Sequence, residues 1–348
     1  EFQAVKRGWV LFEILRAHEA GKSLLIYPAD LISQSRLQTC AIELGEASCT
    51  DAQDWEYIKG EFQRAGLQHV NKTVREALVS NLSSMLAAVQ ARQGPDHDDT
   101  STARMNLCDL HWHHGNYEEA EPLLRQVLER KEAKLGSSHP DVLGSKANLG
   151  QLLKRLNRKE EAERVLKDGL ENAKATLGLE HTTTLTFLNG LGNLIRIQGR
   201  LEEAEPLLRQ AMEGRRAVLG PDHSSTLTSM NGLGMVLKQL GRYDEAEPLH
   251  RLDLETSKAT LGPMHPDTLT AMNSLGNLLF AWGRYGEAEP LFRQAAEGRE
   301  TVLGAEDTRT LNSYKGLGKS LAQMGRNSEA EVCFHRARWD PQSETRKS

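Results

Sequence analysis

Apolar positions along this chain fall into two alternating stripes. Leu188, Leu191, Gly192 and Ile195 stand at i, i+3, i+4 and i+7, the spacing of one helical face. Gly199 interrupts that pattern, and a second helical stripe follows at Leu201, Ala204, Leu208 and Ala211. We call the two predicted helices A and B. The pair recurs. A Leu-Gly step stands at Leu135-Gly136, Leu177-Gly178, Leu219-Gly220, Leu261-Gly262 and Leu303-Gly304, with an earlier Gln93-Gly94 in the same phase, so the period is 220 minus 178, or 42 residues. The alanine of the Glu-Ala-Glu segment keeps the same step at Ala120, Ala162, Ala204, Ala246, Ala288 and Ala330. Two markers in register over six copies identify a stacked array, in which each unit buries its apolar faces only against its neighbours.

Turn chemistry divides each copy. Glycine after the last leucine of helix B supplies a left-handed C-cap, and Pro-Asp or Ser-rich segments restart helix A. The glutamates around each alanine, such as Glu202, Glu203 and Glu205, lie early in helix B, where they read as capping and solvating groups. Residues 53–94 read as a degenerate capping repeat: subtracting 42 from Cys108 reaches Gly66 and from Leu124 reaches Leu82, which places Phe62, Leu78, Leu82 and Met85 in core positions. Residues 95–339 form the array, and residues 340–348 read as a disordered tail. Residues 1–52 lie outside the repeat, where an amphipathic helix over 8–20 and the strand-like Ser23 to Pro28 suggest a short α/β fragment.

The small residues Gly150, Gly192, Gly234, Gly276 and Gly318, the Gly-Arg-Tyr turns at 241–243 and 283–285, the Glu-Ala-Glu-Pro segments at 203–206, 245–248 and 287–290, and the Leu-Gly-x-x-His loops resemble tetratricopeptide repeats. The resemblance is to the long repeats of kinesin light chains. The usual unit has about 34 residues, so a 42-residue unit adds roughly one turn to each helix. The resemblance implies an all-α, right-handed solenoid of about six helix-turn-helix units. Kinesin association is not expected, because no long heptad segment precedes the repeats. Trp9-Val10-Leu11-Phe12-Glu13-Ile14 and the following strand look like one helix-strand step of Toll/interleukin-receptor domains. That resemblance would make Glu13 a candidate for NAD cleavage and the repeats the sensor or oligomerisation arm of a signalling enzyme. Val10 occupies the family's cysteine position, however, and the strands that would build a nucleotide pocket are missing. No catalytic residue and no cofactor are expected of this chain.

A net charge of −5 argues against nucleic acid as a partner. Four cysteines without CxxC spacing read as reduced thiols of a cytoplasmic protein, and no apolar run approaches the roughly 18 residues of a membrane span. His97, His139, His181, His223 and His265 recur one per repeat, too far apart to share a metal ion. His111, His113 and His114 lack a cysteine or carboxylate partner at familiar spacing. No metal site is expected, and no Walker, GxSxG or HExxH motif is present.

Charge changes the picture on one helix face. Away from the leucines, Thr186, Asn189, Asn193 and Arg196 form a second stripe on helix A, which the family's geometry places in the concave groove. Its equivalents elsewhere include Lys154; Asn231 and Lys238; Asn273 and Asn277; and Lys315 and Lys319. Five of the six charges on this stripe are basic in an otherwise acidic chain, Asp109 being the exception. An asparagine amide both donates and accepts, which suits the unpaired backbone of an extended peptide, while the cations favour acidic side chains. The expected function is therefore a non-enzymatic scaffold that holds an extended acidic segment of another protein in the groove.

Overall fold

The computed structural model describes residues 67–339, which form 13 α-helices and no strand. The Toll-like resemblance with Glu13, the core position proposed for Phe62 and the tail after residue 339 lie outside the described residues. The described residues fall into two compact units that divide between Arg158 and Lys159. The first contains α1 (Leu67–Gln93), α2 (Asp98–His113), α3 (Tyr117–Leu135) and α4 (Pro140–Arg155). The second begins with α5 (Lys159–Leu177) and continues with α6 (Thr182–Ile197), α7 (Leu201–Leu219), α8 (Ser224–Gln239), α9 (Tyr243–Leu261), α10 (Pro266–Ala281), α11 (Tyr285–Leu303), α12 (Thr308–Gln323) and α13 (Asn327–Arg336). Even-numbered helices from α2 are helices A, of 16 residues each; α3, α5, α7, α9 and α11 are helices B, of 19 residues each. In the first unit Leu82 of α1 is buried against Leu107 and Leu110 of α2, with Leu78 and Met85 packed around them.

Five of the six helices A start on a histidine rather than on the serines, threonines, aspartates or Pro-Asp pairs that follow it. His97, His139, His181, His223 and His265 are N-caps whose Nδ1 accepts the backbone N–H two residues on, at 3.1–3.2 Å. Asp307 takes that place before α12 and accepts from the Arg309 N–H at 2.8 Å. A buried threonine closes the same loop: the hydroxyls of Thr100, Thr184, Thr226, Thr268 and Thr310 donate to the carbonyls of Gly94, Gly178, Gly220, Gly262 and Gly304. The repeating histidines thus satisfy helix ends that would otherwise leave amides unpaired.

The glycine after helix B differs from the expected left-handed cap. Gly220, Gly262 and Gly304 have φ near 90° with ψ of 162–164°, an extended region with positive φ that is open essentially to glycine alone. Between helices A and B, positive φ falls on Gly115, Gly199, Gly241, Gly283 and Gly325, with Asn157 in the equivalent place in its repeat at φ 59°. Asparagine tolerates that conformation better than most side chains.

Packing within a repeat depends on the absence of one side chain. A Cβ on Gly192 would lie 2.7 Å from Leu208 Cγ, on Gly234 2.5 Å from His250 Nε2, and on Gly318 2.4 Å from Phe334 Cε1. Helix B therefore presses a large side chain into the glycine notch of helix A. The glutamate reading needs correction for the residue that follows each alanine. Glu205 is only 19% exposed and accepts from Arg209 on its own helix at 2.8 Å and from Arg242 of the next repeat at 2.7 Å. Glu163 with Arg200, and Glu247 with Arg284, repeat that inter-repeat link. Lys167, with Gln198 and Arg200, holds the Glu163 carboxyl down to about 2. These carboxylates tie neighbouring repeats together on the helix B side.

Candidate functional site on the helix A face

In the second unit the backbones of α6, α8, α10 and α12 approach one another across repeats. Helices B of successive repeats meet only through long side chains such as Arg209 with Glu245 and Arg251 with Glu287. The helix A layer is therefore the inner side of this stack. The stripe that carries Asn189 to Lys319 lies on it, and the structure gives its members unequal freedom. Lys154, in the first unit, donates to Gln151 on its own helix.

Asn189 is 8% exposed. Its Oδ1 accepts from the Ser229 hydroxyl of α8 at 3.1 Å, and Ser229 Oγ in turn accepts from Arg215 Nη1 of α7 at 2.9 Å. Arg215, 6% exposed, also donates to the Ser225 carbonyl and to Thr186 Oγ1. Burial pushes the Arg215 guanidinium down to about 10; its three partners are neutral oxygens. The arrangement returns two repeats later. Arg299, 4% exposed, donates to Ser313 Oγ at 2.8 Å, to the Arg309 carbonyl and to Thr270 Oγ1, and Ser313 donates to Asn273 Oδ1 at 3.1 Å. Asn231, in the repeat between, lacks this support because Ala271 stands where the serine would be. Its Nδ2 donates to Ser274 Oγ at 3.4 Å, and its Oδ1 is buried without a partner. Asn193 donates to the Asn189 carbonyl at 3.0 Å, and Asn277 is exposed.

The cations also divide. Lys315 and Lys319 lie over the Trp339 ring at 4.6 and 4.9 Å, so the last repeat meets an aromatic cover from its own chain. Arg196 and Lys238 are half-buried neighbours. Burial pushes Arg196 down, and burial followed by repulsion from Arg196 pushes Lys238 down. Arg196 Nη1 reaches Gln239 at 3.4 Å, and its Nε is buried without a partner. Among the described residues no carboxylate offsets either shift, in contrast to Arg200, Arg242 and Arg284 on the helix B side.

Three features of this face escaped the sequence reading. The buried arginines occupy apolar-phase positions of helix B, and the spacing of 84 between Arg215 and Arg299 was hidden beneath the 42-residue period. Ser229 and Ser313 share that spacing, so a search at twice the repeat length would have found them. The Trp339 cover had no periodic signal. Among the described residues, no group of three His, Cys, Asp or Glu side chains converges as metal ligands do, and no helix is long and apolar enough to cross a membrane.

Paired helices of constant length, glycine-notched packing and a layer of helices A facing inward define a helical-repeat protein of the interaction-scaffold class. The family comparison makes the class specific. Residues 79–133, 99–175, 183–252, 233–301 and 283–338 match the tetratricopeptide repeat family, more than half of the chain, and the protein belongs to that family. Its members generally serve as protein-binding scaffolds rather than enzymes. Among solved structures, the chain is similar to tetratricopeptide-like repeats of a putative kinesin light chain from Podosopora anserina, with 26% identity over 58% of this chain and 95% of that one and a TM-score of 0.49. It is also similar to BtubC (BKLC) from P. vanneervenii, with 20% identity over 64% of this chain and 87% of that one and a TM-score of 0.51. No curated protein matches the sequence.

Proposed function

We propose that the protein is a non-enzymatic scaffold that holds an extended acidic segment of a partner protein against the helix A face of its second unit. The observation that carries this reading is the Arg196 and Lys238 pair: two half-buried cations on the inner face, each destabilised by burial and one by the other, with no carboxylate among the described residues to offset them. An acidic side chain laid between them would relieve both costs, which gives selectivity and faster encounter more than raw affinity. Asn189, Asn231 and Asn273 along the same stripe would meet the ligand backbone, and Asn193 and Asn277 would extend that contact. Lys154, in the first unit, and Lys315 and Lys319, beneath Trp339, would contribute charge from elsewhere on the helix A faces. The chain is expected to act in the cytoplasm.

Selection of a phage-displayed 12-residue peptide library on the full chain, followed by fluorescence anisotropy with the best binder, tests the reading. Enrichment of Asp and Glu is expected. Arg196→Glu with Lys238→Glu should weaken the acidic binder far more than its Gln-substituted version, and the difference should shrink with salt, since charges are screened over about 8 Å at physiological ionic strength. Equal losses for both peptides, or a library that yields no binder, would overturn it.

A further inference from the structure

We infer that Arg215 and Arg299 are positioning residues that fix the amides of Asn189 and Asn273 in one orientation, so that each turns its Nδ2 toward the groove as a donor for a backbone carbonyl of the bound segment. The inference rests on the peptide-binding reading above and adds which atom reads the ligand.

The polarity of the hydrogen-bond chain carries it. A guanidinium can only donate. With Arg215 Nη1 at 2.9 Å from Ser229 Oγ, the serine oxygen must accept there, and the serine proton is left for another acceptor. Two acceptors lie within reach: Asn189 Oδ1 at 3.1 Å and the Ser225 carbonyl at 3.3 Å. The Ser225 carbonyl already accepts from Arg215 at 2.9 Å, which leaves Asn189 Oδ1 as the nearer and less occupied one. A second donor points the same way, because Asn193 Nδ2 stands 3.5 Å from Asn189 Oδ1 while it bonds the Asn189 carbonyl. Turned over, the amide would have to donate to a serine oxygen that already accepts from Arg215, would leave the serine proton only the longer bond to the Ser225 carbonyl, and would set its NH2 beside that of Asn193. The protein therefore takes the oxygen and leaves the nitrogen.

The same three partners recur at Arg299, Ser313 and Asn273, so two donors of fixed orientation stand two repeats apart on the inner face. The first unit shows that the cation and serine alone do not make this device: Lys131 donates to Ser145 Oγ at 3.1 Å, but Met105 occupies the asparagine position. Asn231 is the exception within the second unit. Without a serine at position 271, its Nδ2 turns to Ser274 and its Oδ1 is buried. The inner face thus reads carbonyl oxygens at alternate repeats.

The test uses the full chain and the peptide selected from the library. Ser229→Ala removes the link and leaves Arg215 its bonds to the Ser225 carbonyl and Thr186, so the fold should persist, with an unchanged circular dichroism spectrum as the control. Affinity should fall about threefold to tenfold, the equivalent of one ordinary hydrogen bond, and Ser229→Thr should restore it. In an Asn189→Ala background, Ser229→Ala should have no further effect. Equal losses from Ser229→Ala with and without Asn189, or no loss while Asn189→Ala weakens binding, would overturn the positioning role. Unchanged binding in Asn189→Ala, or a library without a binder, would instead remove the peptide-binding reading beneath it and the inference with it. A measurement without ligand checks the lock directly: the Asn189 side-chain amide should give one sharp pair of 15N–1H resonances in the wild type and broaden in Ser229→Ala. A sharp, unshifted pair in both would refute the lock.

Discussion

His250 occupies the helix B position that presses into the glycine notch, where Leu124, Leu166 and Leu208 stand in earlier repeats. It is 1% exposed, and neither ring nitrogen makes a hydrogen bond of good geometry. Burial, followed by the nearby Lys238 charge and against a smaller opposite pull from the Gly234 backbone, pushes its pKa from 6.5 down to about 4. His250→Leu replaces an unpaired polar ring with the residue used at equivalent notches, so it should stabilise the protein by about 1–3 kcal/mol near neutral pH. The pH dependence gives a sharper test. The folded state favours neutral imidazole. Above about pH 6.5 neither state is protonated and histidine ionisation has no effect; as pH falls toward 4 the unfolded chain takes up a proton that the folded chain refuses, and wild-type stability is lost. At 1.36 kcal/mol per pKa unit, the advantage of His250→Leu should grow by roughly 2–3 kcal/mol between about pH 7.5 and about pH 4.5. Asp253, three residues on and 5% exposed, runs the other way. Burial raises its pKa from 3.8 to about 6. The folded state holds its proton more tightly, so stability is fully present below about pH 3.8 and is lost as pH rises through 6. Asp253→Asn should therefore stabilise near neutrality and lose roughly 2 kcal/mol of that advantage by about pH 4.5. Urea titrations followed by circular dichroism at the two pH values measure all four quantities. A pH-independent effect of His250→Leu, or a loss of stability at neutral pH, would show that the imidazole has a partner or is charged in the fold.

The glycine notch predicts opposite outcomes for one chemical change: Gly192→Ala places a Cβ 2.7 Å from Leu208 Cγ and should cost about 1–3 kcal/mol by overpacking, less up to about 1 kcal/mol of gained helix propensity, whereas Gly286→Ala, with nothing within 4 Å, should stabilise by up to about 1 kcal/mol. Thermal melts that rank Gly192→Ala at or above wild type would show that the notch is misassigned. Asp307→Ala removes the cap that accepts the Arg309 N–H and should cost about 1 kcal/mol. Because Arg309 holds the Asp307 carboxyl below its ordinary value of 3.8, that cost should be present above about pH 4 and fade as the carboxylate protonates at lower pH; melts at neutral and acidic pH would reveal it.

The architecture could be read from the sequence because its determinants are local and repeat with the unit. Glycine at the ends of helix B, glycine in the notch and the leucine stripes each act within one helix pair, so each returns every 42 residues. Local roles still escaped where the same residue type admits several. By pattern alone the periodic histidines are loop residues, and their use as N-caps depends on backbone geometry that places Nδ1 near 3.2 Å from the backbone nitrogen two residues on. Glu205 looked like a first-turn carboxylate, yet the stacking of the next repeat brings Arg242 to it across 37 residues.

The site was harder to read because its chemistry lies between repeats. The sequence placed Asn189, Asn231 and Asn273 in one phase and treated them as equivalent. Their neighbours make them different, since the serine that faces Asn189 or Asn273 belongs to the following helix A and the cation that polarises the serine belongs to the helix B between them. Pairings of this kind need not follow the repeat, and here they follow two: position 215 is arginine, 257 is serine and 299 is arginine, while 229 is serine, 271 is alanine and 313 is serine. A buried guanidinium is tolerable only when its donors are satisfied, so arginine at 215 selects serine at 229, and the absence of arginine at 257 leaves alanine acceptable at 271. The alternation is a physical dependence between three helices, and it gives neighbouring asparagines of identical phase different hydrogen-bond partners: Asn189 and Asn273 are held at Oδ1 by a serine, whereas Asn231 donates its Nδ2 to Ser274 and leaves Oδ1 unpaired.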